Sequence, residues 1–198
     1  MRKAILMALC VISSCASAQM VLQADSAALQ PQIGRDENGF SSCGVRGVVI
    51  VSRAQYWDAY DFSAMVRLDL PYGMLKAGKS RTPAQEAVKG KFSTKSVVPP
   101  PVNFWFAQEN EGKPLTPIKT IPAETKGYIL ELANIGDTLR GILAMIHGER
   151  MQFAIRYKNE PADVVVAFAA QMPDYERAPL MKCIKEVGNR MAKLAINK

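Results

Sequence analysis

Tyr60-Asp61-Phe62-Ser63-Ala64-Met65-Val66-Arg67-Leu68-Asp69-Leu70 alternates apolar and polar side chains with a single exception, Met65. Successive side chains of an extended strand point to opposite faces. A period of two therefore gathers Tyr60, Phe62, Ala64, Val66, Leu68 and Leu70 on one face and leaves Asp61, Ser63, Arg67 and Asp69 on the other. A strand covered on one side and open on the other belongs to an antiparallel sheet packed on a core. Pro71-Tyr72-Gly73 ends it, and Met74 to Ala77 begins the return strand of a hairpin.

Upstream, Val45, Val48, Val49, Ile50 and Val51 form a β-branched run, a strand buried on both faces with Cys43 at its entry. Residues 19–41 are mostly small and polar and end in Gly34-Arg35-Asp36-Glu37-Asn38-Gly39, which predicts a flexible leader ahead of a domain spanning 42–198. Downstream, Val102, Phe104 and Phe106 alternate with Asn103, Trp105 and Ala107. The turn formers from Glu109 to Pro114 then lead into a strand at Leu115 to Ile121, which Pro117 confines to an edge.

Tyr128 to Leu132 reads as extended, and Leu139, Ile142, Leu143 and Ile146 follow at helical spacing behind Asp137 as cap, with Gly148 as the stop. Met151 to Tyr157 and Val164 to Ala169 flank the turn Asn159-Glu160-Pro161-Ala162-Asp163 as an antiparallel hairpin. Leu180, Cys183, Ile184, Val187, Met191 and Leu194 share one helical face. The expected fold is α+β: an antiparallel β-sheet or small β-sandwich of about six to eight strands, packed by a C-terminal amphipathic helix and one shorter helix.

The first residues carry an address. Arg2 and Lys3 precede the apolar run Ala4 to Ile12, and Ala16-Ser17-Ala18 supplies the small residues of a cleavage site, so residues 1–18 read as a signal peptide with Gln19 as the mature start. Ile12-Ser13-Ser14-Cys15 also resembles a lipobox, which would instead anchor an outer-membrane lipoprotein through Cys15. Either way the expected location is the periplasm or outside the cell. The apolar run falls short of the roughly 20 residues of a membrane span, so no transmembrane helix is expected.

Of four cysteines, Cys10 and Cys15 fall within that leading segment, which leaves Cys43 and Cys183. In an oxidising compartment they are expected to pair, stapling the terminal helix across the core. Hydrophobic residues at 48% against 22% charged predict a folded chain. The formal charge of +7 includes Arg2 and Lys3, and the leading segment has no acid, so the mature chain keeps +5. A mild excess of cations favours anionic envelope components or acidic proteins, and export argues against nucleic acid.

Chemistry is sparse. His147 is the single histidine and has no metal-ligand neighbour at useful spacing, so its expected place is a helix C-terminus, where the dipole favours a cation. The chain has no Gly-x-Ser-x-Gly window and no clustered glycines, so neither a nucleophile elbow nor a cofactor loop is expected. A glycan hydrolase needs paired acids; Asp58, Asp61, Glu109, Glu111 and Glu131 are available, and all five read as solvated surface.

Lys76, Lys79, Arg81, Lys89, Lys91 and Lys95 face a single acid, Glu86, in a stretch of poor apolar spacing that reads as an exposed basic loop running into Pro99-Pro100-Pro101. Trp105 alternates away from Phe104 and Phe106 and so faces outward. Loop and tryptophan together form the expected binding surface. The function expected from all this is a non-enzymatic binding or accessory protein of the bacterial envelope, without cofactor or metal. An envelope glycan or peptidoglycan hydrolase, or a periplasmic inhibitor or immunity protein, stands as the alternative.

Overall fold

The computed structural model describes residues 19–52, 57–80, 100–109, 114–115 and 117–196. The segment read as a signal, residues 1–18, lies outside them. In chain order the elements are β1 (Gln19–Gln23), β2 (Ser26–Asp36), β3 (Gly39–Ser52), β4 (Trp57–Arg67), β5 (Gly73–Ser80), β6 (Pro101–Gln108), β7 (Pro114–Leu115), β8 (Pro117–Pro122), β9 (Tyr128–Ala133), α1 (Ile135–Ile146), β10 (Met151–Tyr157), β11 (Asp163–Phe168) and α2 (Asp174–Ile196).

Two sheets form, one ordered β1-β11-β10-β6-β7 and the other β2-β3-β4-β5-β9-β8. Among the described residues every pairing is antiparallel except that of β1 with β11. The α+β class read from the sequence is the one found; of the two arrangements left open, a single sheet or a small sandwich of about six to eight strands, the structure has two sheets, of five and six strands among the described residues.

The alternation in β4 fixes how the layers meet. Its even-numbered residues Tyr60, Phe62, Ala64 and Val66 are buried, and Phe62 lies 5.1 Å from Phe168 and 5.6 Å from Phe106, ring centre to ring centre, across the gap between sheets. Tyr60 meets Phe153 at 5.7 Å, edge on. Phe62 also lies flat over Gly47, its cross-strand partner in β3, where a side chain would collide with the ring. The absent Cβ is what lets this aromatic core close.

α1 starts earlier than the sequence suggests. Asn134 caps it, its Oδ1 accepting from the Gly136 and Asp137 amides at 2.8 and 3.3 Å, while Asp137 sits in the first turn and pairs with Arg140. Gly73 faces Thr138, and Gly141 faces Leu115 and Phe106, so small residues on both sides let α1 press against the sheets. α2 buries Leu180, Cys183 and Val187, and Cys183 forms a disulfide with Cys43 of β3 at a Cα separation of 5.9 Å. Glu186 accepts from the Phe40 amide at 3.2 Å, and Arg190 reaches Asp36 at 3.2 Å, so the helix is also tied to the β2–β3 turn.

The flexible leader is corrected. Residues 19–41 supply β1, β2 and the start of β3, and β2 pairs with β3 along its whole length. Backbone hydrogen bonds hold an edge strand with few large side chains, and Ala27, Leu29, Pro31 and Ile33 of β2 line up opposite the inward residues Val49, Gly47, Val45 and Cys43.

Candidate functional site

Lys76 and Lys79 are not in a loop. Both belong to β5, three residues apart and therefore on opposite faces. Lys76 points outward, its Nζ 4.9 Å from the centre of the Tyr128 ring and 3.3 Å from Thr125 Oγ1. Lys79 points between the sheets and pairs with Asp58. Arg81, Lys89, Lys91 and Lys95 lie outside the described residues.

Trp105 does alternate away from the core, as Phe104 and Phe106 are buried and it is half-buried. It lies on the outer face of the five-stranded sheet, however, whereas Lys76 lies on the outer face of the six-stranded one. The two are separated by the thickness of the sandwich, so no single surface contains both.

The outer face of the six-stranded sheet holds the better-built arrangement. Register places Val48, Asp61, Gly78 and Tyr128 in one row across β3, β4, β5 and β9. A Cβ on Gly78 would stand 2.6 Å from the Tyr128 ring, so the glycine lets that ring lie flat across β5. The Tyr128 hydroxyl then donates to Asp61 at 3.4 Å, and Arg46 forks onto the same carboxylate, its Nε at 3.1 Å from Oδ1.

Burial, followed by the Asp61 charge, pushes the Tyr128 phenol above its ordinary value. The hydrogen bond to Asp61 likewise raises Arg46. Arg46 is half exposed, and Met65, Met74, Leu130 and Leu132 are half-buried around the row. Among the described residues neither helix covers this face; both pack on the inner one.

The carboxylates differ from expectation. Asp58, Asp61 and Glu131 are buried rather than solvated, Glu109 pairs with Arg150, and Glu111 lies outside the described residues. Asp58 has an even number like Tyr60, so continuing the alternation of β4 two residues upstream turns it inward; that signal was present in the sequence. Asp61 occupies the open face, as the pattern requires, and is covered by its partners Arg46 and Tyr128.

Glu131 faces inward from β9 and accepts from the Phe104 amide of the other sheet at 3.0 Å, while its Oε2 has no hydrogen-bond partner. β7 pairs only with Phe106 and Ala107, so the Phe104 amide lies beyond that short strand, where it is shared between Glu131 and Asn103 Oδ1, the latter at 2.9 Å. Burial raises the carboxyl to about 7, offset only in part by the Phe104 amide and the Thr120 hydroxyl.

No two of these acids flank a common cleft among the described residues. Asp58 and Asp61 lie on opposite faces of β4. Asp58 and Glu131 share the inner face, but register aligns Glu131 with Leu75 and Ala64, six residues along the strand from Asp58. That is roughly 20 Å, against the 5 to 9.5 Å or so that paired carboxylates need.

His147 is exposed and closes α1, its amide donating to Leu143 O at 3.0 Å. No cluster of three metal-ligating side chains occurs among the described residues. A shallow depression of about 430 Å³, lined by Asp36, Ser41, Ser42, Arg67, Leu68 and Asp69, opens beside the β2–β3 turn and carries an Arg67–Asp69 ion pair. The chain matches no protein-family model, no curated protein and no solved structure.

Proposed function

We propose that this chain is a non-enzymatic binding or accessory protein of the bacterial cell envelope, and that it engages an anionic envelope component through the outer face of its six-stranded sheet. The observation that carries the reading is the Arg46–Asp61–Tyr128–Lys76 arrangement. Two cations are held on a sheet face by one buried carboxylate and one aromatic ring, with both cationic groups directed outward. β5, which bears Lys76, is followed in sequence by Arg81, Lys89, Lys91 and Lys95, against the single acid Glu86.

Delivery by residues 1–18 to an oxidising compartment fits the Cys43–Cys183 bond. Among the described residues no helix is long and apolar enough to cross a membrane. Trp105, on the opposite side, has no part in this surface.

The test is co-sedimentation with phosphatidylglycerol-containing vesicles against purely zwitterionic ones at low salt. Binding should favour the anionic vesicles and fade as salt rises. Replacing Lys89, Lys91 and Lys95 with Ala, or Arg46 and Lys76 with Ala, should weaken it by about tenfold or more, the scale of a few exposed charge contacts. Equal binding to both vesicle types, or by the substituted chains, rejects the anionic partner.

A further inference from the structure

Each sheet ends in two edge strands, and among the described residues three of these four are blunted. β8 begins and ends in proline and carries Lys119, while β2 has Pro31 at its middle and Arg35 and Asp36 at its end. β7 is two residues long and starts at Pro114. Proline lacks the amide that a neighbouring strand needs, and charge or shortness discourages one as well. β1, Gln19-Met20-Val21-Leu22-Gln23, has neither proline nor charge. Among the described residues it pairs with β11 on one side and with no strand on the other.

The backbone groups that β1 leaves open follow from its register. The Ala24 amide donates to Ala167 O of β11 at 2.9 Å. Backbone groups alternate sides along a strand, so Leu22 also turns toward β11, while Gln19, Val21 and Gln23 turn their N–H and C=O groups away from it. Val21 is 66% exposed, and Gln23 is exposed, its side chain accepting from Arg150 at 3.2 Å. These open amides and carbonyls form a template for one more strand.

The order of residues in β1 selects the strand that fits. About Val21 it reads the same by class in both directions: amide, long apolar, valine, long apolar, amide. A twofold interface sets one patch against an identical copy. An antiparallel pair centred on Val21 opposes Val21 to Val21, Met20 to Leu22 and Gln19 to Gln23. The outward-turned residues are the hydrogen-bonding ones in this arrangement, so Val21 and its copy exchange both bonds, and Gln19 and Gln23 do the same. No like charges meet along the strand.

We propose that β1 is a homodimerisation edge, pairing antiparallel with β1 of a second copy about a twofold axis at Val21 and joining two five-stranded sheets into one. Five residues make a small interface, so the dimer is a weak one.

Sedimentation velocity reads the association on chain produced from the complete sequence and purified, over about 1 to 500 μM. Monomer at the dilute end should give way to dimer, half formed at about 10 to 200 μM. Val21→Lys and Val21→Glu each set like charges face to face and should weaken the dimer by about tenfold or more. An equimolar mixture of the two variants should recover it to within about threefold of the unsubstituted chain. Because Val21 is mostly exposed, the melting temperature of either variant at the dilute end should match that of the unsubstituted chain.

Monomer throughout the range overturns the proposal. So does a dimer that tolerates both substitutions, which would form through another surface, or a mixture that associates no better than its components. No vesicle enters the measurement, so this outcome and that of the anionic-surface reading are independent.

Discussion

Glu131 links the sheets through one hydrogen bond to the Phe104 amide, and its carboxyl is raised from 4.5 to about 7. A folded state that raises an acid's pKa binds its proton more tightly than the unfolded chain does. The stability this contributes is complete below about 4.5 and is lost as pH rises through about 7, a change of about 3 kcal/mol for this group. Denaturation midpoints measured from pH 4 to pH 8 should therefore fall, and Glu131→Gln should flatten that fall and be the more stable protein at pH 8. An unchanged slope in the variant assigns the effect to other groups. At this scale the sequence was only partly legible. Alternation placed Trp105 and Asp61 on their faces correctly, but no local pattern shows that Arg46 and Tyr128, from other strands, will close over Asp61.

Elements were legible where one face is strongly apolar. β4, the β10–β11 hairpin and α2 all carry large side chains at the right period; the hairpin and α2 form as read, while β4 begins three residues earlier, at Trp57, and ends at Arg67, short of Leu68 and Leu70. β5 was half seen, because its inward positions are Gly73, Leu75, Ala77 and Lys79, with one large apolar group among them; Thr138 of α1 takes the space at Gly73. β2 was missed because pairing with β3, more than side-chain burial, holds it. Two substitutions test the element-scale account. Asn134→Ala removes the α1 cap and should cost about 1 kcal/mol in urea denaturation, with Asp137→Ala costing less than about half of that. Gly47→Ala drives a methyl into the Phe62 ring and should cost about 1 to 3 kcal/mol, and a neutral result would mean that the aromatic cluster repacks easily.

Over the whole molecule, the disulfide joins residues 140 apart, locking the terminal helix to the third strand. Replacing both Cys43 and Cys183 with Ser should lower stability by about 2 to 5 kcal/mol, read as a shift in the denaturant midpoint, and reductant should reproduce the shift in the unsubstituted chain. The pairing was foreseen by counting, since the other two cysteines fall in the leading segment. What the sequence could not give is which surfaces share a side: Lys76 and Trp105 are 29 positions apart in a chain whose layers separate them.

The parallel pairing of β1 with β11 sets an order of events. Gln19–Gln23 leave the ribosome early, yet their sheet neighbour is Asp163–Phe168. A nascent polypeptide halted anywhere before Asp163 leaves its opening strand with no docking edge in this architecture, and contacts so distant in sequence are slow to form. Such wiring leaves that edge of the five-stranded sheet open until Asp163–Phe168 is available to receive the opening strand.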